Sequence, residues 1–178
     1  MKTYIALLRG INVSGQKKVP MAELRKLLSD LGLINVQTYI QSGNVIFQSS
    51  EKNRSTLEHL IQKAIAYHFG FEVPILVRME REIKSILDAC PFSKEKKENG
   101  YFTLLHSAPD EGLVKETNSI SYPNEEFHIS DTCVYFFSSI GYGNAKCNNN
   151  FFERKLKVDA TTRNYKTMVK LLSLCAEN

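Results

Sequence analysis

The most chemically suggestive segment of the chain is a loop at residues 9–18 that is rich in glycine and hydrogen-bond donors. It joins the first predicted strand to the first predicted helix and ends in Lys17 and Lys18. Loops of this composition can hold phosphate through backbone amides at the start of a helix. It is not a Walker A loop, because G-x-x-x-x-G-K-S/T requires lysine at position 16 and serine or threonine at position 17, where the chain has Gln16 and Lys17. The alternative is an ordinary solvated connection.

A second candidate lies at the predicted start of the last helix. Thr162 is predicted to cap this helix, which places Arg163 and Asn164 in its first turn. Helix starts carry partial positive charge and favour acidic side chains, so a cation there indicates a bound anion. The two lysines of the first loop show the same pattern, since they come just before a predicted helix. The alternative is that Arg163 pairs with a nearby acid such as Asp159.

Two further turns carry polar groups that could face a ligand. The tip of a predicted hairpin contains Ser42 and Asn44, although most such turns serve only to reverse the chain. The glycine- and asparagine-rich segment from Tyr142 to Asn150 could close over a site as a lid, or simply connect two elements.

These observations lead to three functional hypotheses. The leading one is binding of an anionic, phosphate-bearing small molecule at basic helix starts. The predicted ligand-binding residues are Arg9, Asn12, Lys17, Lys18, Ser42, Asn44, Arg163 and Asn164. The second hypothesis is a nucleic-acid-binding module that stacks bases on aromatic residues of an open sheet face. The candidates are Phe47 in the third strand and Tyr135, Phe136 and Phe137, although the last three could as easily belong to the core. The third is a small enzyme whose site closes under the 142–150 segment.

Patterns of established catalytic and metal sites are missing. The four histidines have no metal-ligand spacing with one another or with cysteine. No G-x-S-x-G motif is present, and no cysteine stands in a nucleophile context. We therefore expect no metal and no cofactor, and the sequence identifies no catalytic residue. We expect the four cysteines to be free, mostly buried thiols, with disulfides as the alternative that their even number leaves open.

Length and composition indicate a globular protein. The chain has 178 residues, enough for one ordinary domain or two small ones. Its net charge of +4 is only mildly basic, which is compatible with a phosphate-bearing partner but does not indicate nucleic acid. The first apolar run is too short for a signal peptide, and no stretch reaches membrane-spanning length. We expect a cytoplasmic protein without membrane contact, whose oligomeric state the sequence does not predict.

Hydrophobic periodicity in the first 80 residues predicts the order β-α-β-β-α-β, the ferredoxin-like unit. The predicted strands are 2–9, 35–40, 44–48 and 74–79, and the predicted helices are 20–31 and 56–69.

The second half repeats much of this pattern after a short helix at 80–89 and a charged loop at 94–100. A strand at 101–106, a helix capped by Ser107, strands at 125–129 and 132–138, and helices at 151–156 and 163–176 follow, with no clear fourth strand. We predict an α+β fold, a duplicated ferredoxin-like α/β plait. Its sub-domains span 1–80 and 81–178, and the second is modified and ends in helices.

Three separated motifs resemble a bacterial family, the domain of unknown function 1697. They run from Ala6 to Arg25, from Thr38 to Val45, and from Phe152 to Asn164. The resemblance implies the same duplicated plait and transfers no activity or catalytic residue. The chain departs from the family pattern at Ser14, where glycine is usual, and at Tyr165, where tryptophan is common.

Overall fold

The computed structural model describes all 178 residues. Its strands are β1 (Lys2–Leu8), β2 (Ile34–Tyr39), β3 (Asn44–Ser49), β4 (Ile75–Met79), β5 (Tyr101–Leu105), β6 (Glu125–Ile129), β7 (Cys133–Ser138) and β8 (Ala160–Asn164). Its helices are α1 (Met21–Asp30), α2 (Arg54–Phe69), α3 (Glu80–Asp88), α4 (Lys94–Glu98), α5 (Glu111–Asn118), α6 (Asn149–Leu156) and α7 (Tyr165–Ala176). A short 3₁₀ turn spans Tyr142–Asn144.

The chain divides into two compact units. Unit 1 comprises Met1–Lys84 together with Lys170–Asn178, and unit 2 comprises Ser85–Val169. The last helix, α7, begins in unit 2 and ends in unit 1. No helix combines the length and the hydrophobicity needed to cross a membrane.

The first sheet has the strand order β2-β3-β1-β4, and all its pairs are antiparallel. Every second residue of β1 contributes to one apolar cluster, in which Tyr4 and Leu8 are almost fully buried. Leu24 of α1 and Ile61 of α2 join this cluster. Burial of each large apolar side chain contributes about 1.5–3 kcal/mol, so the two helices are held on the sheet chiefly by these contacts.

The second sheet has the order β6-β7-β5-β8, which repeats the order of the first sheet strand for strand. The duplicated α+β plait is therefore confirmed. The prediction that the second half lacks a fourth strand is wrong, since β8 pairs antiparallel with β5. This strand is polar, but the hydroxyls of Thr103 and Thr162 satisfy one another across the pair at 2.8 Å. Hydrophobic periodicity gives no signal for such a strand.

Two local predictions are also wrong. The charged segment predicted as a loop contains the helix α4, which Ser93 caps, and its lysines and glutamates are strong helix formers. The helix α5 is capped by Asp110 rather than by Ser107, because the Asp110 carboxylate accepts hydrogen bonds from the amides of Gly112 and Leu113.

The four cysteines are free thiols, and three of them are buried. Burial raises the pKa of Cys147 to about 12, and the nearby Glu125 carboxylate adds to this rise. Burial likewise raises the pKa of Cys175 to about 11 and that of Cys133 well above its ordinary value. These three thiols are therefore protonated and shielded near neutral pH.

Gly43 is predicted to be essential for stability, because it lies in the β2–β3 turn with φ +81°. A Cβ there would lie 2.6 Å from Leu8 Cβ and 3.0 Å from Ile11 Cδ1. Gly43→Ala should lower the free energy of unfolding by about 2–4 kcal/mol, through a left-handed backbone and steric overlap together. Gly32→Ala is the control, since Gly32 has φ +85° but no atom within 4 Å of a Cβ, and it should cost only about 1–2 kcal/mol. Equal losses in urea denaturation would contradict this explanation.

Cys90 is predicted to be the only thiol that reacts rapidly in the native protein, because it alone is partly exposed. A disulfide reagent such as DTNB at pH ~8 should modify Cys90 quickly and the other three cysteines only after unfolding. Cys90→Ser should abolish the fast phase. A fast phase that persists in this variant would show that a supposedly buried thiol is accessible.

Candidate functional site

Three connections of unit 1 meet at one end of the first sheet. They are the β1–α1 loop (residues 9–20), the hairpin tip (40–43) and the α2–β4 connection (70–74), here together called the loop end. The backbone amide of Leu8 donates to Gly43 O at 2.8 Å, and that of Arg9 donates to Pro74 O at 3.0 Å. These bonds fix all three connections to the end of β1.

Asn12 ties the β1–α1 loop to the hairpin tip. Its side-chain Nδ2 donates to Val19 O at 3.0 Å and to Gln41 O at 2.8 Å, and its Oδ1 accepts from Val19 N at 2.8 Å. Both N–H groups of the amide are thus engaged within unit 1. Asn12, which we predicted to contact a ligand, is a positioning residue in this structure.

The backbone of this loop repeatedly adopts the left-handed conformation. Three residues other than glycine have positive φ, namely Asn12 (54°), Ser14 (51°) and Lys17 (44°). Glycine takes this conformation without strain, whereas these three side chains do not. Strained backbone of this kind is concentrated at functional sites in proteins.

The two lysines of the loop have no carboxylate partner. Lys17 Nζ donates to the backbone oxygen of Glu72 at 2.8 Å, so it lies across the α2–β4 connection. Lys18 is exposed and makes neither a hydrogen bond nor an ion pair. Arg9 follows β1 directly and is partly buried. The loop end therefore gathers positive charge close to the start of α1.

Ser42 and Asn44 lie at the hairpin tip, next to Gln41, whose backbone oxygen accepts the hydrogen bond from Asn12. Asn44 is completely buried, and its Nδ2 donates to Tyr39 O at 3.0 Å and to Ser42 Oγ at 2.9 Å. Their side chains close the turn and set its shape. Six of the eight predicted ligand residues thus lie in unit 1, at or next to the loop end.

The other two, Arg163 and Asn164, lie in unit 2, and their predicted place in a first helical turn is wrong. Arg163 is in β8, paired with Phe102, and only 8% of it is exposed. Its Nη1 donates to Thr161 Oγ1 and to Thr162 O, both at 2.9 Å. Burial lowers the pKa of Arg163 to about 10, so the guanidinium remains charged near neutral pH.

Asn164 is the last residue of β8 and precedes α7. Its Oδ1 accepts a hydrogen bond from Thr167 N at 2.9 Å, so it occupies the capping role that the sequence assigned to Thr162. Arg163 therefore belongs to a strand and not to a helix start, and the cation in the first turn of α7 is Lys166.

The 142–150 segment is anchored at several points in unit 2. Tyr142 Oη accepts from Asn149 N at 2.9 Å. The Glu125 carboxylate accepts from the amides of Lys146 and Cys147, at 2.8 and 2.9 Å. These bonds do not support the hypothesis of an enzyme that closes under this segment as a lid.

Three aromatic residues of the central strands that could stack on bases lie inside the two cores. Phe47 stacks on Tyr4 with ring centroids 5.7 Å apart, and Phe136 packs in the apolar cluster of unit 2. Tyr135 is 3% exposed and its Oη donates to Ile86 O at 3.0 Å. These three rings are not free to stack on a base, whereas Phe137 of β7 is partly exposed.

Sequence reasoning missed the groups that orient the loop end. The backbone oxygens of Val19, Gln41 and Glu72 receive the side chains of Asn12 and Lys17. Backbone acceptors carry no signal in residue type, so only the tertiary structure reveals them. No cluster of three or more histidine, cysteine or acidic residues could hold a metal ion.

Comparison with known proteins places the chain among its relatives. The family model described as "Protein of unknown function (DUF1697)" matches residues 1–135. No curated protein matches the chain. Among solved structures, the conserved bacterial protein SP0830 from Streptococcus pneumoniae is 26% identical and has a TM-score of 0.75, over 97% of this chain and 98% of that one. The motifs, the duplicated fold and the family match agree, and the chain belongs to the DUF1697 family.

Proposed function

We propose that unit 1 binds a small anionic ligand, such as a phosphate-bearing metabolite, at the start of α1. The observation that carries this proposal is an uncapped helix start beside lysines that lack carboxylate partners. The N-cap position of α1 is Pro20, which makes no side-chain capping bond. The helices α2, α5 and α6 are instead capped by Asn53, Asp110 and Asn148.

The first-turn amides of α1 have no acceptor within the protein. The first intrahelical hydrogen bond runs from Leu24 N to Pro20 O at 2.9 Å. The amides of Ala22 and Glu23 come before this bond and therefore have no partner within the helix. The Glu23 carboxylate lies 2.6 Å from His68 Nε2 and caps nothing. Free amides together with the helix dipole attract an anion.

Unit 2 provides an internal comparison, because α5 occupies the same place in the duplicated order. Its preceding connection (residues 106–110) contains no lysine or arginine and ends in Asp110. The backbone angles of Asp110 (φ −63°, ψ 136°) nearly equal those of Pro20 (φ −64°, ψ 130°). Where unit 2 supplies its own carboxylate to the helix start, unit 1 leaves the same position uncapped, after a loop that contains two lysines.

Arg9, Lys17 and Lys18 supply the positive charge of the proposed site, with Asn12, Ser42 and Asn44 as positioning residues. Each interaction of an anion with a helix start or an exposed lysine contributes about 0.3–1 kcal/mol. We therefore expect modest affinity for a simple oxyanion and tighter binding of a ligand that carries more than one charge. The proposed site consists of residues of unit 1, and Arg163 and Asn164 belong to unit 2.

Lysine substitutions test the proposal most simply. Lys18→Ala and Lys17→Ala should each weaken inorganic pyrophosphate binding severalfold in calorimetry at low ionic strength, since each removes about 1 kcal/mol of attraction. Lys63→Ala is the matched control, because Lys63 is an exposed lysine of the same unit on α2. Loss of binding in all three variants alike, or no binding by the unaltered protein, would contradict the proposal.

A cap supplied by the protein itself should compete with the ligand. Pro20→Asp should place a carboxylate on the amides of Ala22 and Glu23, as Asp110 does in α5, and thereby abolish pyrophosphate binding. Relative to Pro20→Ala, the aspartate variant should gain about 1 kcal/mol in the free energy of unfolding. If Pro20→Asp binds pyrophosphate as well as Pro20→Ala does, the start of α1 is not the site.

A further inference from the structure

The two sheets leave four edge strands, and these edges differ in how they are protected. The edge strands are β2 and β4 in unit 1 and β6 and β8 in unit 2. An open edge presents unpaired backbone N–H and C=O groups to other chains, so proteins usually cover or interrupt it. An edge that is neither covered nor interrupted is therefore a candidate for pairing with another chain.

The edge of β4 is covered by two carboxylates. Val77 N, which points away from β1, donates to Glu58 Oε1 at 2.8 Å. Met79 N points the same way and donates to Glu82 Oε2 at 2.9 Å. Both acceptors come from helices of unit 1, so the outward amides of this strand are already bonded within the chain.

The edges of β8 and β2 are protected as well. In β8, Ala160 N donates to Glu153 Oε1 at 3.0 Å, and Ala160 O accepts from Asn149 Nδ2 at 3.1 Å, so α6 covers the strand. In β2, the pairing with β3 shifts register between Ile34 and Gln37. An irregularity of this kind interrupts the row of backbone groups that another chain would need.

The edge of β6 has no such protection. The bond from Ser130 N to Cys133 O, at 2.9 Å, fixes which residues face β7. In an antiparallel pair every second residue bonds to the neighbouring strand, so Phe127 and Ile129 direct their N–H and C=O groups to the free side. No group of the chain bonds to them there. The register of β6 with β7 is also continuous from Glu125 to Ile129.

Open space lies along this edge. A groove of about 420 Å³ is lined by the consecutive residues 125–128, together with Phe92 and Tyr122. Successive residues of a strand point to opposite faces of the sheet. Since residues of both faces line the groove, it follows the edge of β6 and not one face, and the unpaired backbone groups are accessible.

A second copy of the chain matches this edge in one antiparallel register. If Phe127 lies opposite Phe127 of the second copy, Glu126 lies opposite His128, and symmetry repeats this pair. An imidazole N–H can donate to a carboxylate, and side chains that face each other across two strands are close enough to interact. A shift by two residues would instead place Glu126 opposite Glu126 or His128 opposite His128. A shift by one residue would turn the side chains to the wrong faces.

We infer that two copies of the chain associate through their β6 strands, antiparallel and centred on Phe127. The amide and carbonyl of Phe127 bond reciprocally with those of the second copy, and Ile129 N donates to Glu125 O on each side. The four strands of each second sheet thereby form one continuous sheet. This association uses no residue of the proposed anion site, so either proposal can fail without the other.

Sedimentation equilibrium of the full chain should show a reversible monomer–dimer equilibrium. His128→Glu should weaken association about tenfold or more, because it places two carboxylates opposite each other at two points of the dimer. His128 is exposed, so this variant should fold normally. Glu126→His combined with His128→Glu exchanges the two residues and should restore the dimer. His59→Glu is the matched control, since it changes an exposed histidine of α2 in unit 1, and it should associate normally.

Isotope-filtered NMR of a dimer with one labelled copy tests the register. The Hα atoms of Glu126 and of His128 in the second copy should give a strong NOE, because residues of a non-hydrogen-bonded antiparallel pair lie closest. The inference is overturned if the chain is monomeric at every concentration, or if His128→Glu dimerises as tightly as the unaltered chain. It is also overturned if the exchanged variant stays as weak as His128→Glu, or if the dimer lacks this NOE.

Discussion

The side-chain amide of Asn12 is the interaction on which the geometry of the loop end depends. One side chain makes three hydrogen bonds, two to Val19 and one to Gln41, and so holds its own loop closed and against the hairpin. Each such bond contributes about 0.5–1.5 kcal/mol. The three bonds together contribute about 1.5–4.5 kcal/mol. They offset much of the left-handed backbone strain, which is about 3–6 kcal/mol for the three residues other than glycine that adopt this conformation in the loop. Apart from the Asn12 side chain, the loop is closed by the backbone bonds from Asn12 N to Lys17 O at 3.1 Å and from Gln16 N to Val13 O at 2.9 Å. Loss of the side-chain bonds would therefore loosen the loop that carries the two lysines to the start of α1.

The duplicated fold gives the basic loop of unit 1 a counterpart in unit 2 that lacks its features. The two sheets share one strand order, so the β1–α1 and β5–α5 connections are equivalent positions in the architecture. In unit 2 the connection is short and closes with an aspartate cap. In unit 1 it is long, basic and uncapped. Binding sites commonly arise when one loop of a repeated fold becomes longer and gains polar residues, because loops can change while the core is preserved.

The sequence predicts the elements that bury apolar faces and fails where polar groups decide the structure. The strands of unit 1 and most helices follow from hydrophobic periodicity. Strand β8 does not, because Ala160–Asn164 is polar and is stabilised by the hydroxyl pair of Thr103 and Thr162. Because β8 is not recognised from the sequence, Arg163 is predicted at a helix start although it lies in this strand. In the candidate site, the basic and glycine-rich character of the loop is visible in the sequence. The hydrogen bond from Asn12 to Gln41 is not, because it joins residues far apart in the chain and leaves no local pattern.

Native-state hydrogen exchange of the Val19 amide tests the central claim most directly, since Asn12 Oδ1 is its acceptor. In Asn12→Ala, exchange at Val19 and at other amides of residues 12–19 should accelerate at least about tenfold, which corresponds to ~1.4 kcal/mol of lost local stability. The buried Ile61 amide in α2 should be unaffected. If exchange at Val19 is unchanged in the variant, Asn12 does not hold the loop, and the account of a preorganised loop end is wrong.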